Sequence, residues 1–157
     1  MTETKDETLH WRSQADAQLA SIREMVAALT AAEESEDDDA REEAESAIHE
    51  DALSVEVRTG WMSANEYFQA VQATGLSQER LSKADLEPFK PAEFRILLCT
   101  GGPAVQIIGE LSEHGEPEAE KIQLQGQDWF QPWQNAVISD EDRQVLARYA
   151  QCFHFGE

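Results

Sequence analysis

Basic residues are scarce in this chain: 12 Lys and Arg stand against 32 Asp and Glu, a formal net charge of −20 over 157 residues. A field of that sign repels phosphate, so direct binding to nucleic acid or to an anionic membrane is not expected. It attracts basic surfaces instead, and the proteins richest in those are the ones that grip nucleic acid. Also missing is any apolar run of about eighteen residues, which excludes a membrane-spanning helix. The opening stretch MTETKDETLHWRSQ is polar and acidic and lacks the apolar core of a signal peptide, so a cytoplasmic protein is expected. Cysteine is nearly absent. Cys99 and Cys152 are the only two, far apart and outside any Cys-x-x-Cys spacing, which reads as two free thiols.

Apolar material is sufficient for a core. The hydrophobic fraction is 41% and four tryptophans are present, so the chain is not globally disordered and fits one compact domain. From Thr8 to about Ala32, the residues Trp11, Ala15, Leu19, Ile22, Met25, Val26 and Leu29 recur at helical spacing, and no Gly or Pro interrupts them. A second helix is expected from about Asp37 to Glu50, with Ala40, Ala44, Ala47 and Ile48 as a narrow stripe and Ser35 or an early Asp as its cap. The two form an antiparallel hairpin with an acidic tip.

At Leu53 the period changes from helical to alternating. Leu53, Val55 and Val57 interleave with polar residues as in a half-buried strand, ended by Gly60. Ser63-x-x-Glu66 has the form of a capping box and opens a short helix through Tyr67, Phe68 and Val71, stopped at Gly75. Leu76, Leu81 and Leu86 are loosely helical, and Pro88 and Pro91 turn the chain into a strand. Phe94–Cys99 and Ala104–Leu111 flank Thr100-Gly101-Gly102-Pro103 and form a β-hairpin. Gly115 and Pro117 mark a turn before a third strand at Lys121–Gln125. Ser139-x-x-Asp142 caps a last helix through Val145, Leu146, Tyr149 and Ala150, and Phe153 and Phe155 extend as a terminal strand. The expected fold is therefore α+β: an N-terminal helical hairpin beside an antiparallel sheet of three to five strands, with the C-terminal helix packed on the sheet.

No catalytic constellation emerges, so no enzyme is expected. The Thr100–Pro103 turn lacks the Lys-Ser/Thr of a phosphate loop and precedes a strand. Cys152 and His154 alternate along the terminal segment, which a Cys-His dyad needs but a buried strand explains as well. His10, His49, His114 and His154 are scattered, and His49-Glu50-Asp51 lacks the second His of a zinc-protease helix. The acidic run has no EF-hand spacing. Neither a metal nor a cofactor is therefore expected. Trp129-Phe130-Gln131-Pro132-Trp133 has two readings, a lid over the sheet or the anchor of an interface, with Trp129 and Trp133 as the contact residues.

The strongest compositional feature is Glu33–Glu45, with nine carboxylates and one arginine: Glu33, Glu34, Glu36, Asp37, Asp38, Asp39, Glu42, Glu43 and Glu45. As one helix it would carry a carboxylate per about 2.2 Å of axis, close to the one phosphate charge per about 1.7 Å of duplex DNA. As a solvated connector it would carry no function. Residues 1–51 hold 16 acids and 4 bases, and residues 52–157 hold 16 acids and 8 bases. Acidity is thus concentrated at one end without being confined there.

Ser54–Trp61, Ile96–Val105 and Tyr149–Gly156 together resemble a family of small uncharacterised proteins carried on phages and other mobile elements of proteobacteria. The resemblance covers most of the chain apart from residues 62–92, which then read as an insertion. The change of period at Leu53 divides the chain into an acidic helical hairpin (1–51) and an α+β part with the antiparallel sheet (52–157). The resemblance brings no catalytic residues. It implies the class of small acidic proteins that block host defences, as anti-CRISPR and anti-restriction proteins do, many by occupying a basic channel meant for nucleic acid. The expected partner is accordingly a basic nucleic-acid-binding protein or complex. The carboxylates of Glu33–Glu45 would dock on it by nucleic-acid mimicry, with Trp129 and Trp133 as anchors. The alternative is an acidic adaptor or chaperone-like module for a basic phage or plasmid protein.

Overall fold

The computed structural model describes residues 10–74 and 90–155. The expected helix start at Thr8, the stop at Gly75 and the loosely helical Leu76, Leu81 and Leu86 lie outside them. Among the described residues the chain forms α1 (His10–Glu34), α2 (Asp38–Asp51), β1 (Ser54–Thr59), α3 (Ala64–Thr74), β2 (Pro91–Cys99), β3 (Ala104–Glu110), a 3-10 turn (Ala119–Lys121), β4 (Gln123–Gln127), β5 (Gln134–Asn135) and α4 (Asp140–Ala150). This is the expected α+β class. No helix among the described residues is long and apolar enough to cross a membrane.

The five strands form one antiparallel sheet in the order β1-β2-β3-β4-β5. The hairpin around Thr100–Pro103 is present, with Ile96 opposite Ile107 and Gly101 supplying the positive φ of 95° in the turn. Val55, Ile96, Ile107 and Leu124 lie in one cross-strand row facing the helices. The next row, Glu56, Arg95, Ile108 and Gln123, faces away from them. The third main strand begins at Gln123 rather than Lys121, because the 3-10 turn occupies Ala119–Lys121.

The 25-residue α1 is about 37 Å long. Its stripe of Trp11, Ala15, Leu19, Ile22, Val26 and Leu29 is buried against β3, β4 and α4, and α2 packs on it through Ile48. Hairpin and sheet share one hydrophobic cluster. Full burial of each large apolar side chain in it contributes about 1.5–3 kcal/mol. At the start of α1, Trp11 lies so close to β4 that a Cβ on Gly126 would stand 2.3 Å from Trp11 Cε3, so this strand position requires glycine.

Polar contacts fix the helices to one another. Ser139 and Asp142 form the expected capping box on α4. The Asp142 carboxylate also accepts from Arg23 of α1, Nη2 to Oδ1 at 2.6 Å and Nε at 3.0 Å. Burial acts to raise the Asp142 carboxyl, but the bonds from Arg23 and Ser139 outweigh it and hold the group below its usual range. Tyr149 of α4 donates to Asp51 at the end of α2 (2.8 Å), and burial together with that bond pushes its phenol far up. The expected terminal strand at Phe153–Phe155 does not form. The chain leaves α4 in turns, Phe155 packs on Phe94 at 5.0 Å between ring centroids, and Phe153 packs on Tyr149 at 5.4 Å.

Candidate functional site

The acidic segment is divided between two helices and the turn that joins them. The last turn of α1 carries Glu33 and Glu34, and the chain reverses through Ser35–Asp37 before α2 begins at Asp38. Two backbone bonds close that reversal, Glu36 N to Glu33 O and Asp37 N to Ala32 O, both at 3.3 Å. This is the Schellman arrangement, in which the residue after the C-cap adopts left-handed geometry. Here that residue is Glu36, at φ 56°. Glycine or asparagine is usual there, and another residue incurs about 1–2 kcal/mol. Asp37 then caps α2, its carboxylate accepting from Ala40 N at 3.1 Å. Asp38 and Asp39 lie in the first turn of α2, where the helix dipole favours negative charge.

The nine carboxylates divide by role. Glu33 pairs with Arg148 of α4, Glu45 with Arg41 at 3.2 Å, and Asp37 serves as cap. Among the described residues Glu34, Glu36, Asp38, Asp39, Glu42 and Glu43 make no side-chain hydrogen bond or ion pair, and all six are exposed. A shallow cleft of about 590 Å³ opens beside them, and its lining includes Glu36, Asp38, Arg41, Glu45 and Arg148. From Asp38 to Glu43, four carboxylates occupy about 9 Å of helix axis, one per about 2.2 Å. The density expected of a continuous Glu33–Glu45 helix is therefore confined to less than half its expected length.

The aromatic segment lies elsewhere. Trp129 and Phe130 sit in the β4–β5 loop, beyond Gly126 and hence at the Trp11 end of α1, on the order of 30 Å from the acidic turn. They are no lid. Trp129 is 68% exposed and Phe130 102%, while Trp133 is half-buried. Phe130 is the second non-glycine residue with positive φ, 61°, in a turn closed by Gln131 N to Asp128 O at 3.1 Å. The acidic residues are thus brought together, and Trp129 and Trp133 are not brought to them. Composition gave no sign that Glu36 and Phe130 are, among the described residues, the non-glycine positions with positive φ.

The thiols have no histidine partner among the described residues. Burial raises both Cys99 and Cys152, and the Cys152–His154 pair loses its basis with the missing strand. Among the described residues no group of three or more His, Cys, Asp or Glu is arranged to hold a metal ion. A groove of about 470 Å³ crosses the outer face of the sheet, floored by Gln106, Ile108 and Gln125. Its cations are neutralised in place: Arg95 by Glu56, Arg58 by Glu93 and Lys121 by Glu110. Gln106, Gln125 and Asn135 bond one another in a row at 2.8 and 2.9 Å. That groove has neither net charge nor an unpaired donor row to select a ligand. Comparison with protein-family models, with curated proteins and with solved structures finds no match to this chain.

Proposed function

We propose that this protein is a non-enzymatic cytoplasmic inhibitor whose acidic turn occupies a basic, nucleic-acid-binding surface of a bacterial defence complex, as anti-CRISPR and anti-restriction proteins do. The observation that supports the reading is Glu36. A carboxylate stands at a backbone position that favours glycine, at the apex of six unpaired carboxylates, and strain of this kind collects where function requires it. The turn is held by its backbone bonds, so the backbone that carries the charges needs no ordering on docking.

The extent of the charge sets the size of the target. About 9 Å of helix at near-DNA density, with Glu34 and Glu36 at its end, matches the phosphates of a few nucleotides. The fitting surface is a pocket for a short run of backbone. Lys and Arg there would accelerate encounter and select the partner, while uncharged contacts around the turn supply the rest of the affinity. Trp129 and Trp133 are too distant to share a compact site. Neither a cofactor nor a metal enters this mechanism.

The test is capture of partners from a bacterial lysate at low and high salt, followed by competition with DNA and with RNA. Release of the captured partner by nucleic acid supports mimicry. A partner that binds nucleic acid and this protein together refutes mimicry and supports the adaptor reading.

A further inference from the structure

One edge of the sheet carries a side-chain pattern that maps onto itself. β1 pairs with β2 alone, so among the described residues its other backbone edge is unpaired. An unpaired edge six residues long is a template for another strand, and charged side chains are the usual guard against one. Here the guard is self-complementary. Glu56 and Arg58 flank Val57, have opposite sign, and share the outer face of the sheet. Apolar residues repeat that symmetry. Leu53 and Trp61 stand four residues before and after Val57, and all three are exposed. We infer that β1 is a self-association edge: β1 of a second copy adds antiparallel to it about a two-fold axis at Val57, joining two five-stranded sheets into one.

Strand geometry leaves few registers, and charge selects among them. Two antiparallel copies of one strand exchange backbone bonds only where some residue stands opposite itself. Centred on Glu56, the pairing sets carboxylate against carboxylate; centred on Arg58, it sets guanidinium against guanidinium. Centred on Val57, it sets Glu56 opposite Arg58 of the second copy. The match extends into each sheet. Glu56 stands opposite Arg95 and bonds it at 2.8 Å, and Arg58 stands opposite Glu93 and pairs with it. A row across the junction then runs Arg95, Glu56, and the Arg58 and Glu93 of the second copy, alternating in sign throughout. On the other face Val57 meets its own mate, and Leu53 comes opposite Trp61 of the second copy. A strand of unrelated sequence would need this whole pattern in reverse order, whereas a second copy supplies it by symmetry. One strand from each side makes a small interface, so the dimer is weak and concentration-dependent. The net charge of −20 opposes it at long range, and physiological salt screens that repulsion beyond about 8 Å. This inference does not depend on what the acidic turn binds.

Sedimentation velocity of the whole chain at physiological salt, from low to high micromolar concentration, tests the association. The expected result is a monomer that converts to dimer as concentration rises. Val57→Lys sets two ammonium groups against each other at the axis and should stay monomeric, with an unchanged melting temperature because the position is exposed. Oxidative cross-linking tests the register. Residues opposite each other across an antiparallel pair have Cα atoms about 4.5–5.5 Å apart, within disulfide reach. Thr59 lies four residues from its own mate in this register, about 13 Å along the strand and out of reach. Val57→Cys should therefore form a covalent dimer, while Thr59→Cys should cross-link no more than wild type, whose Cys99 and Cys152 are half-buried. A wild-type protein that remains monomeric at every concentration overturns the inference. So does a dimer that Val57→Lys leaves intact, or a Thr59→Cys protein that cross-links as readily as Val57→Cys.

Discussion

Replacing Glu36 with glycine should make the protein more stable and a poorer ligand for its partner. Glu36 holds φ 56° with its side chain exposed and without a partner among the described residues, so glycine loses no contact and removes the left-handed penalty. That penalty is about 1–2 kcal/mol, reduced by glycine's greater freedom in the unfolded chain to a net gain of about 1 kcal/mol. For a chain of this length the gain corresponds to a rise in melting temperature of about 2–4 °C. Removing one charge from an acidic cluster is also mildly stabilising, so Glu36→Ala serves as the control. Alanine removes the same charge and keeps the strain, and should fall within about 0.5 kcal/mol of wild type. Urea unfolding followed by tryptophan fluorescence reads both variants, since Trp11 is buried against Gly126. If Glu36→Gly is no more stable than Glu36→Ala, the strain at the turn is not real and the main support for the functional reading falls.

Gly126→Ala should destabilise by about 1–3 kcal/mol, because its Cβ has no room beside Trp11, and thermal melting measures it. Asp142, with its carboxyl held low in the folded state, contributes stability that is present above the unfolded value of 3.8 and lost as pH falls through the folded value. The Asp142→Asn protein should accordingly be weaker near neutrality and show a flatter loss of stability in acid titrations. Tyr149 runs the other way. Its phenol is raised in the folded state, so stability should decline as pH rises past the unfolded value of 10, and Tyr149→Phe should lack that component of the alkaline decline in urea midpoint.

Most of the fold was legible because the local signals agreed with one another. The alternation on both sides of Thr100–Pro103 and the glycine pair in the turn specify the hairpin, and Ser139-x-x-Asp142 marks the start of α4. The terminal strand was misread because Phe153 and Phe155 have the spacing of a pleat. Each has a packing partner of its own, Tyr149 and Phe94, and neither pairs with a strand among the described residues. The short β5 was missed because Gln134-Asn135 has neither apolar alternation nor β-branched residues. The site was half legible. Charge density located the acidic residues, but their arrangement depends on a left-handed residue, and Glu36 in that role carries none of the signal that Gly or Asn would have given. Phe130 misled in the same way, since an aromatic in a loop reads as buried and here it projects.

The central claim is that the exposed carboxylates of the turn guide this protein to a basic surface. The most direct measurement is the association rate with the captured partner as a function of salt, for wild type and for a variant with Asp37, Asp38 and Asp39 changed to Asn and Glu42 and Glu43 changed to Gln. Asparagine caps a helix as well as aspartate does, so the α2 N-terminus should survive the change at Asp37. The expected result is a wild-type rate that falls steeply with salt and a variant that associates slowly with a shallow salt slope, because exposed charges act over about 8–10 Å and are screened beyond it. Equal rates with equal salt slopes would contradict the claim and leave the acidic turn as a solvated link between two helices.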